Sequence, residues 1–145
     1  MTRLRICKDC VAESALNQAA RRPAPHPGPR CVTHHRIKKK ADSERAAEKR
    51  WAQHYGLTPQ QYKAILVLQG GGCGFCSRPP GRRRLAVDHD HSCCPGKTSC
   101  GKCVRGLLCW TCNKFSEHID DSPIVVARMA RYYFAPPAQL IKEEA

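Results

Sequence analysis

The run Asp88-His89-Asp90-His91 lies between Cys73-x-x-Cys76 and Cys109-x-x-Cys112-Asn113. These residue types suit phosphodiester hydrolysis. That reaction needs a deprotonated water, neutralised phosphate charge and a stabilised leaving oxygen. A divalent ion can serve the last two needs. Magnesium is hard and prefers oxygen ligands, and the Asp88 carboxylate and the Asn113 side-chain carbonyl offer them. His89 is the natural general base, because an unperturbed imidazole titrates near neutrality. The competing reading of the run is a polar turn or a further set of zinc ligands, since histidine also binds zinc well.

Such groups work only if the chain holds them together. Cys73, Cys76, Cys109 and Cys112 have the spacing of a tetrathiolate zinc site, which is structural because four thiolates leave no position for water. Asn113 is covalently next to one of these ligands. Leu85-Ala86-Val87 reads as a short buried strand entering Asp88, and Val104 to Leu108 as its partner delivering Cys109. A helix carrying Phe115 and Ile119 is expected from Asn113 onward. In a regular strand Asp88 and His89 would face opposite sides, so a shared site requires the strand to end or bulge there. Upstream, Thr58-Pro59-Gln-Gln61 predicts an N-cap, a proline in the first turn and a capping box, with Leu57 and Tyr62 placed as a hydrophobic staple. Gly70-Gly71-Gly72 ends that helix. Downstream, Asp121 or Ser122 with Pro123 opens another helix, with Val125, Met129, Tyr132 and Tyr133 on one face, and Pro136-Pro137 stops it.

The chain has 145 residues, eleven of them cysteine, and few aromatics. A small polar scaffold of this kind needs staples. The first twelve residues contain no apolar signal segment, and no stretch approaches a membrane span. A reducing, cytoplasmic setting is therefore expected, which favours metal over disulfides. The CxxC spacing points the same way. Twenty-five Lys and Arg against twelve acids give a formal charge of +13, a field that attracts polyanions, nucleic acid above all. Arg36 to Lys40 and Arg82 to Arg84 are expected to contact backbone phosphates without reading sequence.

Three segments are expected. Residues 1–40 form an N-terminal zinc-binding element, ribbon-like with an irregular Pro-rich middle, using Cys7, Cys10, Cys31 and His34, or His35 in place of His34. Residues 41–56 form a basic helical linker capped by Asp42 or Ser43. Residues 57–145 form the domain that carries the chemistry. Between the two strands, Cys93, Cys94, Cys100 and Cys103 can hold an extra zinc, with His91 as another candidate ligand, so one to three zinc ions are expected per chain. Arg105, at the hairpin, suits either a bidentate phosphate contact or an ion pair with Asp90. Trp110 is expected to cover the zinc knuckle.

Cys73-Gly-Phe-Cys76, Val87-Asp88-His89-Asp90-His91 and Val104-Arg105-Gly106-Leu107-Leu108-Cys109-Trp110-Thr111-Cys112-Asn113 resemble the recombination endonuclease VII family of phages, which belongs to the HNH, or ββα-metal, nucleases. The resemblance covers roughly residues 55–134. It implies an α+β fold: a zinc-stapled ββα-metal (HNH, His-Me finger) core with flanking helices. It implies zinc at Cys73, Cys76, Cys109 and Cys112, magnesium or manganese at Asp88 and Asn113, and His89 as base. His91 would help to position substrate. The implied activity is cleavage of branched DNA such as four-way junctions, by a homodimer of phage or bacterial origin. A carboxylate a few residues beyond the asparagine assists catalysis in the family; here Ser116 stands in that region and Glu117 follows. Two other functions remain compatible with the residues: an HNH nickase on ordinary duplex DNA in packaging, homing or defence, and a noncatalytic zinc protein that binds DNA.

Overall fold

The computed structural model describes residues 5–17, 20–25 and 28–139. The ends of the expected 1–40 and 57–145 segments, and His26 and Pro27 of the Pro-rich stretch, lie outside the described residues. The elements are α1 (Lys8–Asn17), α2 (Val32–Tyr55), α3 (Pro59–Leu68), β1 (Ala86–His89), β2 (Val104–Leu108), α4 (Trp110–His118) and α5 (Pro123–Phe134). The chain divides into two compact units, residues 1–49 and 50–145, with the boundary inside α2.

In the first unit the expected ribbon is replaced by helix. After Cys7 the chain turns directly into α1, and a single bridge between Ile6 and Pro23 is the extended pairing seen there. The sequence Cys10-Val-Ala-Glu-Ser-Ala-Leu contains good helix formers, and the nearby prolines all fall after α1 has ended. The first half of α2 starts ten residues before Asp42 rather than at it. Asp42 is not a cap. It is an interior residue whose carboxylate takes Lys38 four residues before it and Arg45 three after it. Pairs at these spacings support a helix that has no apolar stripe of its own.

The second unit is built on a two-stranded antiparallel hairpin. The expected cap of α3 is present: Thr58 accepts from the Gln61 amide at 3.2 Å, and the Gln61 side chain accepts from the Thr58 amide at 2.8 Å. Leu57 and Tyr62 are both buried. Trp51 stacks on Tyr62 with centroids 3.8 Å apart and planes 11° apart, and the Tyr62 hydroxyl donates to the Leu85 carbonyl at 2.9 Å. Burying these two rings together satisfies the phenol and ties α2 and α3 to the start of β1. Leu85, Val87, Leu107 and Leu108 complete the core.

Gln69, just beyond α3, seals the outer side of β2. Its amide nitrogen donates to Leu107 O at 2.8 Å and to Gly72 O at 2.9 Å, while its oxygen accepts from Leu107 N at 2.8 Å. Gly72 has no room for a side chain: a Cβ there would stand 2.3 Å from the Ser77 carbonyl oxygen. This close approach folds the first knuckle back, with Cys73 N bonded to Arg78 O at 2.9 Å and Ser77 N to Cys73 O at 2.8 Å.

α5 begins at Pro123 with Ser122, not Asp121, as its cap. Val125 and Met129 are half-buried, whereas Tyr132 and Tyr133 are exposed. Among the described residues no helix is long and apolar enough to cross a membrane.

Candidate active site and thiolate clusters

The hairpin register changes where the chemistry is expected. Asp88 pairs with Gly106, but His89 pairs with Val104, which makes Arg105 the extra residue of a bulge. β1 ends at His89, and the bulge on β2 breaks the regular ladder beside it. Asp88 and His89 are both buried and both line one cavity of about 260 Å³, together with Tyr55, His91, Asn113 and Glu117.

Each of these groups is held. His89 Nε2 lies 3.1 Å from the Cys94 carbonyl oxygen. A carbonyl only accepts, so Nε2 carries the proton, and in the neutral ring Nδ1 carries the lone pair. The ring packs edge-on against Tyr55, centroids 5.9 Å apart, and beside His91 at 4.6 Å. Asn113, in the first turns of α4, donates its side-chain N–H to Glu117 at 3.1 Å. The four-residue spacing of Asn113 and Glu117 puts them on one helix face.

Arg105 is paired with carboxylates, and its partner is Asp88 rather than Asp90, which the sequence allows as the alternative to a phosphate. Its Nε and a terminal nitrogen donate to the two Asp88 oxygens at 2.7 and 3.0 Å, and it reaches Asp121 at 2.8 Å. The bulge explains the choice, because it turns Arg105 toward the residue one register back. Asp90 instead accepts from the Ser92 amide at 2.8 Å.

Asp121, read from sequence only as a cap, is the hub of this network. Its side chain is 6% exposed and takes three donors: His91 Nδ1 at 2.7 Å, Arg105 at 2.8 Å and the Ser116 hydroxyl at 2.5 Å. Burial opposes its ionisation, but bonds from Ser116, His91 and Arg105 outweigh that and hold its carboxyl well below the usual range. Its backbone sits at φ +53°, in the left-handed region, which aspartate enters more readily than most non-glycine residues. His91 Nδ1 bonds to Asp121, and the cluster that follows it is made of four cysteines.

Three sets of ligand atoms converge, each within 4.8 Å: Cys7, Cys10, Cys31 and His34; Cys73, Cys76, Cys109 and Cys112; and Cys93, Cys94, Cys100 and Cys103. A zinc–sulfur bond of ~2.3 Å implies sulfur atoms about 3.8 Å apart around a tetrahedron. The spacing between Cys76 and Cys109 is 3.9 Å, and between Cys10 and Cys31 it is 3.8 Å. All three sets can hold zinc.

In the second set, Cys109 caps α4 and its amide donates to Cys73 Sγ at 3.2 Å. Burial opposes the Cys73 thiolate, yet the backbone of Cys109, Cys76 and Phe75 brings it down to about 6. That is the protonation state a metal needs. Burial, with the neighbouring Cys109 thiol, pushes Cys112 up. Trp110, at the start of α4, is 63% exposed.

In the first set the nitrogen comes from His34 and not His35: its Nδ1 stands 3.3 to 3.4 Å from the three sulfurs. Its Nε2 meets Glu13 at 2.8 Å, and this bond raises the imidazole to about 9. A carboxylate behind a ligating histidine orients the ring. Glu13 was not legible as a partner, because only α1 brings it level with His34.

Residues 48–135 match the recombination endonuclease VII family. The chain is 45% identical over 140 residues to the Gene 59 protein of Mycobacterium phage D29, covering 94% of this chain and 78% of that one. It is 43% identical to the Gene 59 protein of Mycobacterium phage L5, with 94% and 79% covered. No solved structure matches at a significant level. With paired thiolate knuckles flanking its hairpin, and Asp88 and His89 among the residues lining one cavity, the chain belongs to the recombination endonuclease VII family.

Proposed function

We propose that the chain is a metal-dependent endonuclease that hydrolyses phosphodiester bonds in DNA, with branched molecules such as four-way junctions as its substrates. The observation that supports this reading is the cavity that Asp88, His89 and Asn113 line together at the end of β1, with the bond to Cys94 leaving the His89 Nδ1 lone pair available. A noncatalytic DNA-binding protein has no need of that arrangement.

The donor set suits a hard cation. Asn113 commits its nitrogen to Glu117, which leaves its oxygen as the atom for a cation. Asp88 gives both oxygens to Arg105, but a carboxylate offers about four lone-pair sites, so acceptor capacity remains. Magnesium or manganese bound by Asp88 and Asn113 would supply charge neutralisation at the phosphate and the leaving oxygen. His89 Nδ1 takes the proton of the attacking water, and the Cys94 carbonyl supports the N–H on the far side of the ring as positive charge builds. Arg105 and His91, each anchored on Asp121, position the substrate phosphate. Arg50, Arg82, Arg83 and Arg84 line a separate groove of about 490 Å³, which suits the flanking DNA backbone. Zinc at Cys73, Cys76, Cys109 and Cys112 holds the hairpin and α4 in register, and zinc at Cys7, Cys10, Cys31 and His34 organises the N-terminal element. A homodimer belongs to the same proposal and is checked by light scattering.

The test compares a four-way junction, a flap and a linear duplex at one salt concentration, with magnesium or manganese. Salt must be fixed because so basic a protein binds any DNA at low ionic strength. The junction is expected to be cut fastest, and His89→Ala should bind DNA but lose roughly 10²-fold or more in rate. Equal cleavage by His89→Ala would reject the base. Preference for the linear duplex would reject the branched substrate while keeping the nuclease.

A further inference from the structure

Within the connection between the two strands, residues 92–102 read Ser-Cys-Cys-Pro-Gly-Lys-Thr-Ser-Cys-Gly-Lys. One backbone bond, from Ser99 N to the His54 carbonyl at 2.7 Å, ties this loop to α2, and its proline, Pro95, is exposed. Apolar burial therefore does little to offset the entropy of ordering it. What converges instead is sulfur: Cys93 lies 3.9 Å from Cys94 and from Cys100, and Cys100 lies 3.9 Å from Cys103. These spacings match the tetrahedral edge of about 3.8 Å expected around zinc. The Cys100 amide also donates to Cys94 Sγ at 3.3 Å.

The same loop reaches the reaction centre twice. Its Cys94 carbonyl holds His89 Nε2 at 3.1 Å. Its Gly96 and Lys97 line the cavity that contains His89 and Asn113. We propose that Cys93, Cys94, Cys100 and Cys103 bind a zinc ion that orders this loop, and that the ordered loop fixes the His89 tautomer through the Cys94 carbonyl and brings the Lys97 ammonium to the phosphate. Cys94 is thereby a positioning residue for His89. The inference rests on His89 being the base.

The site also differs from the other two in accessibility. Cys93 and Cys100 are exposed, whereas Cys7, Cys10, Cys31 and Cys73 are buried. Cys76, Cys109 and Cys112 are half-buried, so the loop site is the most accessible of the three and its ion is expected to exchange first.

The experiment counts zinc by native mass spectrometry and reads the His89 ring nitrogens by NMR at a pH where the ring is neutral. The Cys100→Ser/Cys103→Ser variant should carry one zinc fewer than wild type. Its His89 signals should move from a single Nε2-protonated form toward a mixture of tautomers. Its kcat should drop roughly tenfold or more. A variant that keeps the wild-type zinc count, or loses one ion with unchanged His89 signals, overturns the proposal. Should the variant fail to fold, a chelator titration of wild type decides: the first ion to leave must shift the His89 signals, and signals that hold through its loss refute the coupling. If His89→Ala cleaves as well as wild type, the base assignment fails, while the zinc count and ring signals still judge the link between loop and imidazole.

Discussion

Asp121→Asn isolates the charge of one buried carboxylate without altering its shape. Asparagine tolerates the left-handed backbone at this position as well as aspartate does, so the φ of +53° adds nothing to the difference. What changes is the fit to three donors. Oδ1 now accepts from both Arg105 and Ser116, and Oδ2 accepts from His91. An amide keeps one acceptor oxygen and presents N–H₂ where the other was. Charge-assisted bonds contribute roughly 1.5–3 kcal/mol each, but Arg105 is 36% exposed and retains Asp88. Solvent screening and the surviving partner reduce the loss, and roughly 2–3 kcal/mol is expected. At about 4–8 °C per kcal/mol for a domain of this size, the melting midpoint of the zinc-replete protein should fall by roughly 10–20 °C. The pH dependence supplies the sharper check. The folded-state pKa of Asp121 is depressed, so its contribution is present above the unfolded carboxyl value of about 3.9 and is lost as pH falls through the folded value. The gap between wild type and variant should therefore be full at neutral pH and narrow below about pH 4. Scanning calorimetry or urea unfolding across that range measures it. A variant that melts with wild type at pH 7, or a gap that stays constant into strong acid, would refute the assignment of Asp121 as the hub.

Two further outcomes are expected from the first knuckle. Gly72→Ala must push the Ser77 carbonyl away from its 2.3 Å clash and should destabilise the protein by roughly 1–3 kcal/mol, as overpacking does, measured as a lower urea midpoint with unchanged zinc content. Cys73→Ser should abolish zinc binding at the hairpin clamp and collapse near-ultraviolet circular dichroism, because a structural zinc contributes its binding energy directly to folding.

Local chemistry made part of this architecture readable. Thr58, Pro59 and Gln61 announce a helix start whatever surrounds them, and the cap is present atom for atom. The CxxC spacing of two knuckles flanking a hairpin announces a shared site, and Cys73, Cys76, Cys109 and Cys112 do converge. That the strand must end or bulge there also followed from its two-residue period, and β1 does end at His89; which residue of the partner strand would be extra did not follow. That residue proved to be Arg105, and its pairing with Asp88 instead of Asp90 is a consequence of register that no periodicity encodes. Asp121 was hidden for a similar reason. It sits thirty positions from His91 in a turn, and its side chain is aimed by a backbone conformation with no reliable signature in sequence. The early start of α2 was hidden because Arg36 to Lys40 carry no apolar stripe; there the helix draws on charge pairs within itself.

Gln69 has a consequence beyond holding the hairpin. A two-stranded sheet leaves outward-facing amides and carbonyls that invite a neighbouring chain to add itself as another strand. At Leu107, the most buried residue of β2, that invitation is withdrawn: the glutamine side chain imitates a third strand, meeting both the N–H and the C=O, while the Gly74 amide adds a second bond to the same carbonyl at 2.9 Å. The smallest sheet a fold can have thus resists templated self-association and amyloid growth along that edge, at the cost of a single side chain.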